Sequence, residues 1–380
     1  MPERDMARRV GRFGELRRPV VLGMGLVALD VVIVEGSSEP PRYFAGGTCG
    51  NVLSILGFLG WDARPISRLG TGGATKHVVE DLERWNVSTR FVTQRENGST
   101  PVIIERLRRS ADGTPQHRFS WRCPSCGTHL PGYKPVLATV AQELAHDVKQ
   151  PAVFFFDRVS RGVLAMAEVC RRTGAVVVFE PSAVAEPELF REAWKLSHVV
   201  KYSHERLRDI ADVEFGKQER QAVWLEVETL GAEGLRYRSR LPDAQTRGWE
   251  HARSFPVPSV KDTAGAGDWC TAGLIERLAR KGSRGLKVAT LAGVRGAFRY
   301  AQAASAWNCA FEAPRGGMYH SSREAFARDI AEIIAKRSGS EASPESNQDA
   351  LKSAIGRLCP GCEHLGQRSL AVASNSFSKP

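Results

Sequence analysis

The feature that most constrains the fold is an alternation of short apolar runs with amphipathic stretches that have helical spacing. Strands separated by helices of this length require crossover connections, which place the strands parallel in a sheet covered on both faces. The chain is therefore predicted to be a doubly wound α/β protein with a largely parallel sheet and helices on both faces. The segments that carry the pattern are 20–34, 48–59, 74–85, 152–156, 163–172, 175–179, 198–200 and 222–227.

Two segments interrupt this alternation and predict a small β lid. They are 35–44 and 101–121, and the second reads as paired extended segments around the turn Asp112-Gly113. Lids cover sites where water would compete with the intended acceptor. We expect one large domain at 1–336 that ends in helical stretches at 286–306 and 322–336, with lid segments at about 35–47 and 98–134. A Ser/Glu/Asn-rich linker at 338–349 leads into the tail, so that 337–380 forms a separate segment.

The composition limits the class of protein. Of the 380 residues 42% are hydrophobic, which is enough for a buried core. The longest apolar run, 20–34, has 15 residues, fewer than the about 20 that span a bilayer, and no small-residue cleavage site follows it. We therefore expect a cytoplasmic protein that has no membrane partner.

The formal net charge of +11 raises nucleic acid as a possible partner, because clustered Lys and Arg bind a phosphate backbone. The basic residues are spread along the chain, with local concentrations at 8–18 and 106–122. Aromatic residues do not alternate with them as stacking platforms would. Nucleic-acid binding is therefore disfavoured as the main function, and a solvated basic surface or an anionic small substrate explains the charge instead.

A glycine-rich turn that opens a helix is the strongest indication of chemistry. It reads Lys261-Asp-Thr-Ala-Gly-Ala-Gly-Asp268, and apolar residues at helical spacing follow it. Unpaired N–H groups and the helix dipole at such a terminus bind a phosphate or a developing negative charge. Asp268 would repel that phosphate, so we interpret it as the base that takes a proton from an attacking hydroxyl. The alternative is an aspartate that caps a helix beside a tight turn.

Three further segments indicate a ligand site. Gly46-Gly47-Thr-Cys-Gly-Asn51 precedes an apolar helix, where the glycines allow close backbone approach and Asn51 offers a donor and an acceptor to a polyol. Asp30 lies toward the end of the first apolar run, and ligands of open α/β sheets bind outside the carboxyl ends of the strands. Thr229-Leu-Gly-Ala-Glu-Gly234 follows another apolar strand and suits nucleotide phosphate or ribose. Ordinary turns, including a tight hairpin at 229–234, are the alternative interpretation.

In this order the motifs resemble those of the ribokinase-like carbohydrate kinases, the PfkB family, over about residues 20–336. Asp262-Thr-Ala-Gly-Ala-Gly-Asp268 matches the C-terminal signature of the family at each defined position. Gly46, Gly47 and Asn51 match its N-terminal Gly-Gly-x-x-x-Asn signature. The resemblance implies ATP-dependent phosphorylation of a hydroxymethyl group on a sugar, a nucleoside or a related small alcohol.

The resemblance also implies roles for individual residues. Asp268 would be the catalytic base, and the backbone of Gly265, Ala266 and Gly267 would form the anion hole. The implied cofactors are ATP and Mg²⁺, with a monovalent cation such as K⁺ beside the anion hole, and we also expect a homodimer formed through the lid. The acceptor would be held by Asp30, Gly46, Gly47 and Asn51, ATP by Lys201, Thr229, Gly231, Gly234, Asn308 and the loop at Gly316, and the monovalent cation by Asp262 and Ala264.

Two departures from the family pattern leave magnesium binding and activity open. The usual Lys-x-Asn-x-x-Glu appears here as Lys201-Tyr-Ser203-His-Glu205-Arg206, and the usual Gly-Asp-Asp as Gly70-Thr-Gly72. Ser203 thus replaces the asparagine, while the glutamate is either displaced to Glu205 or replaced by Arg206. An arginine could neutralise phosphate directly, or the enzyme could be slow or inactive. A catalytically weak, ligand-binding regulator on the kinase fold is therefore the main alternative function.

Four of the eight cysteines form two Cys-x-x-Cys pairs, Cys123/Cys126 and Cys359/Cys362, each followed by a histidine. Such a turn places two thiolates on one ion, and two turns supply the four ligands of a closed structural zinc site. A redox pair and a coincidental spacing of cysteines are the alternative interpretations. We predict that all four cysteines bind zinc and so join the tail to the lid. A zinc-bearing nucleic-acid or protein adaptor is accordingly a third functional class.

Overall fold

The strands of the central sheet are short, apolar and buried. Runs such as Val153–Phe156 and Val176–Phe179 are buried at every position, which is typical of parallel strands covered by helices on both faces. The computed structural model describes residues 18–110, 115–148, 150–184, 186–207 and 213–338. The strands are β1 (Val20–Gly23), β2 (Ala28–Val34), β3 (Arg42–Gly46), β4 (Asp62–Pro65), β5 (Ser67–Leu69), β6 (Val92–Gln94), β7 (Val102–Arg109), β8 (Pro115–Ser120), β9 (Val153–Phe156), β10 (Val176–Phe179), β11 (Val199–Ser203), β12 (Leu225–Thr229), β13 (Leu235–Ser239) and β14 (Glu250–Ala252). The helices are α1 (Gly47–Phe58), α2 (Gly73–Arg84), α3 (Ala138–Asp147), α4 (Arg161–Arg172), α5 (Pro187–Leu196), α6 (Lys217–Ala222), α7 (Ala266–Leu278), α8 (Gly282–Lys287), α9 (Leu291–Asn308), α10 (Gly316–His320) and α11 (Arg323–Ser338).

The central sheet has eight strands in the order β14-β13-β12-β11-β10-β9-β1-β4. The strands from β12 to β4 in this order are parallel, and β13 and β14 extend the sheet with antiparallel pairs. Alternate residues of β10 enter different cores: Val176 and Val178 pack in the core that contains α1, α7 and α9, and Val177 and Phe179 pack in the core that contains α4 and α5. The predicted doubly wound architecture is confirmed.

A second, four-stranded sheet in the order β3-β2-β7-β8 forms the predicted β lid. The pairing of two extended segments within 101–121 is confirmed, since β7 and β8 are antiparallel from Ile104–Ser120 to Arg109–Pro115. The predicted turn at Asp112-Gly113 lies outside the described residues. A short parallel pair, β5 with β6, stands apart from both sheets.

The interpretation of 20–34 as one buried parallel strand is wrong. The run divides into β1, which belongs to the central sheet, and β2, which belongs to the lid. The glycines between the strands permit close packing at the crossing: a Cβ on Gly23 would lie 2.6 Å from the side chain of Leu53, and one on Gly25 would lie 1.8 Å from the carboxylate of Asp157. An apolar run cannot reveal this change of sheet, because both strands are apolar.

The predicted helical stretch 286–306 is also interrupted. Helix α8 ends at Lys287 and α9 begins at Leu291. Thr290 caps α9, and its side-chain oxygen accepts a hydrogen bond of 3.2 Å from the backbone N–H of Gly293. A threonine in this position supplies a partner for one of the unpaired donors of a helix terminus, which favours a new helix start.

Residues up to Ile334 form one compact unit. A second unit begins at Ala335, and the structure describes it only to the end of α11. The predicted linker at 338–349 and the cysteines Cys359 and Cys362 lie outside the described residues, apart from Ser338 at the end of α11. Among the helices of the described part, none combines the length and the apolar character that crossing a membrane requires.

Candidate active site

The glycine-rich turn lies at the amino end of α7, as predicted. Gly265 precedes the helix with φ of +73°, and a Cβ there would lie 2.2 Å from the carbonyl oxygen of Pro314, so glycine is required. The fully buried carboxylate of Asp262 holds the turn: Oδ1 accepts a hydrogen bond from the N–H of Ala264 at 2.9 Å, and Oδ2 accepts one from the N–H of Ala313 at 3.0 Å. The backbone of the turn is therefore fixed before any ligand binds.

Asp268 lies in the first turn of α7 and is partly exposed. Its Oδ2 accepts a hydrogen bond of 2.8 Å from Nδ2 of Asn51. Burial and the charge of Glu180 raise the pKa of Asp268 to about 8. The hydrogen bond from Asn51, and then the charge of Lys201, lower this pKa but do not offset the increase. A carboxylate with a pKa near neutrality is suited to accept a proton.

A buried lysine–glutamate pair lies beside the turn. Nζ of Lys201 donates to Oε1 of Glu180 at 2.6 Å, and Lys201 is only 2% exposed. The other oxygen of Glu180 accepts a hydrogen bond from the hydroxyl of Thr271 in α7. Burial disfavours the charged ammonium, but the neighbouring carboxylate outweighs this, so the pKa of Lys201 is raised. A Cβ on Gly267 would lie 3.6 Å from Nζ of Lys201, so this glycine leaves open the space between the turn and the ammonium.

Arg315 organises the other side of the site. It is 1% exposed, and its Nε donates to Oδ1 of Asn51 at 2.9 Å. Its Nη2 donates to Oδ2 of Asp81 at 2.9 Å and also to the carbonyl oxygen of Ala45. These bonds join the segment before α10 to α1, α2 and β3. They also fix the amide of Asn51, because its oxygen faces Arg315 and its nitrogen faces Asp268.

Asp30 was predicted to lie at the carboxyl end of a strand of the central sheet, and this placement is wrong. Asp30 lies within β2 of the lid sheet. It is 7% exposed, and its Oδ1 has no hydrogen-bond partner among the described residues. A Cβ on Gly46 would lie 1.8 Å from Oδ2 of Asp30, so that glycine gives the carboxylate its space. Burial raises the pKa of Asp30 to about 7, against the charge of Arg315 and a backbone hydrogen bond from Gly47. A ligand hydroxyl would supply the missing partner.

Sequence reasoning missed two carboxylates and Arg315. Asp157 and Glu180 follow β9 and β10 directly, at the carboxyl ends of parallel strands. Oδ1 of Asp157 accepts a hydrogen bond of 2.8 Å from the N–H of Leu26 and so fixes the chain between the two sheets. The strand-end rule that selected Asp30 would have found both carboxylates. Arg315 gave no signal, because it stands in an irregular segment with no motif.

The predicted nucleotide segment 229–234 is the turn between β12 and the antiparallel β13. The tight-hairpin interpretation therefore describes its backbone, while contact with ATP stays a prediction. Gly231 has φ of +59°, and a Cβ there would meet nothing within 4 Å, so this glycine borders open space. Gly234 has φ of +104° and packs closely, since a Cβ would lie 2.3 Å from the carbonyl oxygen of Ala252. The hydroxyl of Thr229 donates to the carbonyl oxygen of Tyr202 at 3.4 Å.

Asn308 is fully buried at the end of α9. Its Nδ2 donates to the carbonyl oxygen of Pro314 at 3.1 Å, and its Oδ1 accepts from the N–H of Gly317 at 3.2 Å. The side chain thus holds the loop that leads into α10, which begins at Gly316. Proximity of this loop to adenine stays a prediction. Asn308 itself is buried beneath the loop and holds it by hydrogen bonds to its backbone.

The segment 201–206, where the sequence departs from the Lys-x-Asn-x-x-Glu pattern of the family, spans the end of a central strand. Ser203 ends β11, and the next three residues are exposed. Nδ1 of His204 lies 2.6 Å from Oε1 of Glu228. The charge of Arg206 acts on Asp268 and lowers its pKa. At this position a positive charge therefore faces the site where the family pattern has a glutamate.

Cys123 and Cys126 lie in a turn after β8, and Cys126 is exposed. The N–H of Gly127 donates to the carbonyl oxygen of Cys123 at 2.9 Å. Hydrogen bonds from Thr128, and from the thiol of Cys123, lower the pKa of Cys126. The two thiols are thus close together, as a zinc site requires. Their predicted partners lie outside the described residues, so the zinc site stays a prediction.

No family model and no curated protein matches the sequence. Solved structures are similar in fold. A nucleoside kinase from Burkholderia thailandensis in complex with inosine has a TM-score of 0.60 at 18% identity, covering 82% of this chain and 96% of that one. A fructokinase from Xylella fastidiosa with bound ATP has a TM-score of 0.62 at 16% identity, covering 84% and 99%. An aminoimidazole riboside kinase from Salmonella enterica, complexed with aminoimidazole riboside and an ATP analogue, has a TM-score of 0.57 at 17% identity, covering 82% and 99%. This chain therefore has the ribokinase-like fold that its motifs predicted.

Proposed function

We propose that this protein is an ATP-dependent kinase that phosphorylates a hydroxymethyl group of a sugar, a nucleoside or a related small alcohol. The observation that carries the proposal is the hydrogen bond between Asn51 and Asp268, which joins the two signature segments. It places a carboxylate of raised pKa at the amino end of α7. Kinases of similar fold, bound to inosine, to ATP or to aminoimidazole riboside, support the same class of reaction.

In the proposed reaction Asp268 takes the proton of the acceptor hydroxyl while its oxygen attacks the terminal phosphorus of ATP. The new bond joins that oxygen to phosphorus, and the bond to the leaving oxygen of ADP breaks. The backbone N–H groups of Gly265 and Gly267 stabilise the charge on the transferred phosphoryl group. The N–H of Ala266 donates to the carbonyl oxygen of Thr263 at 3.2 Å and would turn to the phosphoryl group on binding. Lys201, held by Glu180, adds fixed positive charge on the same side. The proton passes from Asp268 to solvent after the product leaves.

The acceptor would lie between the lid and the turn. The unpartnered oxygen of Asp30 suits a hydroxyl donor. Gly46 leaves room for the Asp30 carboxylate and Gly47 for the backbone of Leu26, so the two glycines shape the acceptor site from the protein side. Asn51 is already bonded to Arg315 and Asp268. It would therefore orient the acceptor beside the base with its remaining hydrogen-bonding capacity.

The residues beside the turn also suit the implied cations. Mg²⁺ neutralises phosphate charge when bound, and it usually takes one or two carboxylates together with phosphate oxygens and water. Glu180 is the carboxylate next to the space opened by Gly267, since a Cβ added to Gly267 would lie 3.8 Å from its Oε1, so we assign it to Mg²⁺. Its oxygens now accept from Lys201 and Thr271 and would share these contacts with the ion. Asp262 and the backbone of Ala264 remain the proposed ligands of a monovalent cation.

Acceptor-dependent ADP formation across a panel of sugars and nucleosides tests the proposal. We expect at least one acceptor to give turnover in the wild type and in Asp243→Asn, a control that neutralises an exposed carboxylate. Asp268→Asn should lose that turnover. A panel-wide absence of turnover, with retained ligand binding, would favour the second candidate function.

The second candidate is a ligand-binding regulator with little catalytic activity. Ser203 and the exposed Arg206 favour it, because both stand where the family pattern has residues that organise magnesium. Restoring the pattern with Ser203→Asn/Arg206→Glu should raise turnover if these residues limit it. Unchanged turnover would show that they do not.

A further inference from the structure

One face of the lid sheet carries polar side chains that the proposed reaction does not use. In the parallel pair β2–β7, Glu105 lies opposite Val32 and Ile103 lies opposite Asp30. In the antiparallel pair β7–β8, His117 lies opposite Leu107. Paired residues and every second residue along a strand share a face. Asp30, Glu105 and His117 therefore lie on the same face of the lid.

This face meets Asp262 of the glycine-rich turn. Nδ1 of His117 lies 3.5 Å from Oδ1 of Asp262. Glu105, His117 and Asp262 each offer one ligand atom, and these three atoms all lie within 4.8 Å of one another. No second group of this kind occurs in the part of the chain that the structure describes. The cluster thus joins two lid strands to the segment that holds the candidate base.

Glu105 lacks the partners that a buried carboxylate normally has. It is 1% exposed, and neither of its oxygens has a hydrogen-bond partner among the described residues. Arg42 lies on β3, with β2 between it and β7, and makes its ion pair with Glu312 at 2.8 Å. Its charge acts on Glu105, but it donates no hydrogen bond to that carboxylate. Asp262 and Asp30 add negative charge near Glu105. A buried carboxylate in such surroundings requires a bound proton or a cation.

We propose that Glu105, His117 and Asp262 bind a divalent first-row metal ion that ties the lid to the glycine-rich turn. Two carboxylates balance the charge of such an ion, and the imidazole supplies a nitrogen ligand. Ligand atoms about 2.1 Å from one ion lie at most about 4.2 Å apart, so the cluster would contract by about half an ångström on binding. Asp262 would be shared with the proposed monovalent-cation site, and the imidazole and Glu105 distinguish the divalent site from it. The absence of thiolates distinguishes the divalent site from the cysteine turn.

Mn²⁺ binding to the full chain tests the site. Mn²⁺ prefers oxygen and nitrogen ligands to thiolates, so the cysteines do not compete. The protein is stripped with a chelator and titrated without nucleotide, and unbound Mn²⁺ is followed by electron paramagnetic resonance. We expect one bound Mn²⁺ per chain and a higher Tm on binding. Glu105→Gln and His117→Ala should each weaken binding by at least about tenfold. His129→Ala, which removes an exposed lid histidine outside the cluster, should bind as the wild type does.

Two results would overturn the site. One is no Mn²⁺ binding by the wild type, in which case Glu105 is a neutral, protonated acid. The other is unchanged affinity in both Glu105→Gln and His117→Ala, which would place the ion elsewhere. His117 has 29% of its side chain exposed, so its replacement should keep the fold even if Glu105→Gln does not. Circular dichroism of each variant verifies folding before the titration.

Discussion

The contact between Asp268 and Asn51 is the residue-scale basis of the proposed chemistry. Both residues could be selected from the sequence, because each stands in a short motif beside a helix start. Their hydrogen bond could not be predicted, because 217 positions separate the two residues and only the packing of α1 on α7 brings them together. Arg315 was not predictable at all, because its importance lies in three hydrogen-bond partners from different elements and not in a local pattern.

Asp268→Asn should lower turnover by about 10²- to 10⁴-fold, the usual contribution of a positioned base. Affinity for ATP should change little, because the backbone of the turn is held by Asp262 and not by Asp268. Steady-state kinetics and calorimetric titration of ATP measure the two effects. Turnover equal to that of the wild type would refute the assignment of the base.

The pH dependence should report the same carboxylate. Asp268 acts as a base only when ionised, so kcat/KM of the active protein should rise with pH toward a plateau above about 8, the pKa of this group. Asn51→Ala removes a hydrogen bond that favours the charged form, so the rising limb should move to higher pH. Arg206→Gln should move it the same way, since it removes a positive charge. If the rising limb of the kcat/KM profile moves to lower pH in these variants, the group that titrates is not Asp268.

At the scale of elements, regular segments were predictable and crossings between sheets were not. Helices α2 and α4 follow their periodic patterns, because each has one buried face. Helices α1 and α7 are buried on all sides along their middle turns, so their apolar content predicted them instead. The division of 20–34 between two sheets depends instead on contacts of Gly23 and Gly25 with Leu53 and Asp157, which are remote in sequence. The break before α9 rests on a single capping threonine, whose signal is weaker than the apolar pattern around it.

Two glycines of the turn should respond differently to alanine. Gly265→Ala places a Cβ 2.2 Å from a backbone oxygen at φ of +73°, so it should reduce the free energy of unfolding by more than about 1 kcal/mol. A Cβ on Gly267 would meet its nearest neighbours, Nζ of Lys201 and Oε1 of Glu180, only at 3.6 and 3.8 Å, and alanine is favoured within a helix. That variant should keep its stability and lose turnover, because the methyl group occupies the phosphate space. Urea denaturation measures the free energy of unfolding of both variants, and steady-state kinetics measures their turnover. Equal free energies of unfolding would contradict the close contact assigned to Gly265.

Arg315 should contribute stability through its buried pair with Asp81. Arg315→Met leaves that carboxylate buried without its charged partner, a change that typically costs about 3–5 kcal/mol. Asp81→Asn combined with Arg315→Met should cost less than the sum of the single changes, as expected for residues in contact. The free energies of unfolding from urea titrations complete the cycle. Strict additivity would show that the two side chains do not interact.

At the scale of the whole molecule, the doubly wound sheet and the β lid followed from the order of strand and helix patterns. The polar face of the lid could not be predicted from the sequence. Strand pairing places Glu105 and His117 on that face, and no local motif indicates that they lie together. Homodimerisation through the lid stays a prediction. Exposed aromatic side chains on or beside its strands, Tyr43, Phe119 and Trp121, agree with it.

The cysteine pairs should bind a single zinc ion per chain. Cys123 and Cys126 already lie side by side, and the tail supplies the second pair in sequence. Elemental analysis should find one zinc in the purified protein and almost none in Cys359→Ser/Cys362→Ser. Two ions per chain, or full retention in that variant, would show that the pairs do not share an ion.

The most direct test of the proposed phosphorylation of a hydroxymethyl group is the position of the phosphate on the product. The protein is incubated with ATP and an acceptor found in the panel, and the product is examined by mass spectrometry and by phosphorus NMR. We expect one added phosphoryl group coupled to the two protons of a hydroxymethyl carbon, formed by the wild type and not by Asp268→Asn. ADP formation without a phosphorylated acceptor, or equal product from Asp268→Asn, would contradict it.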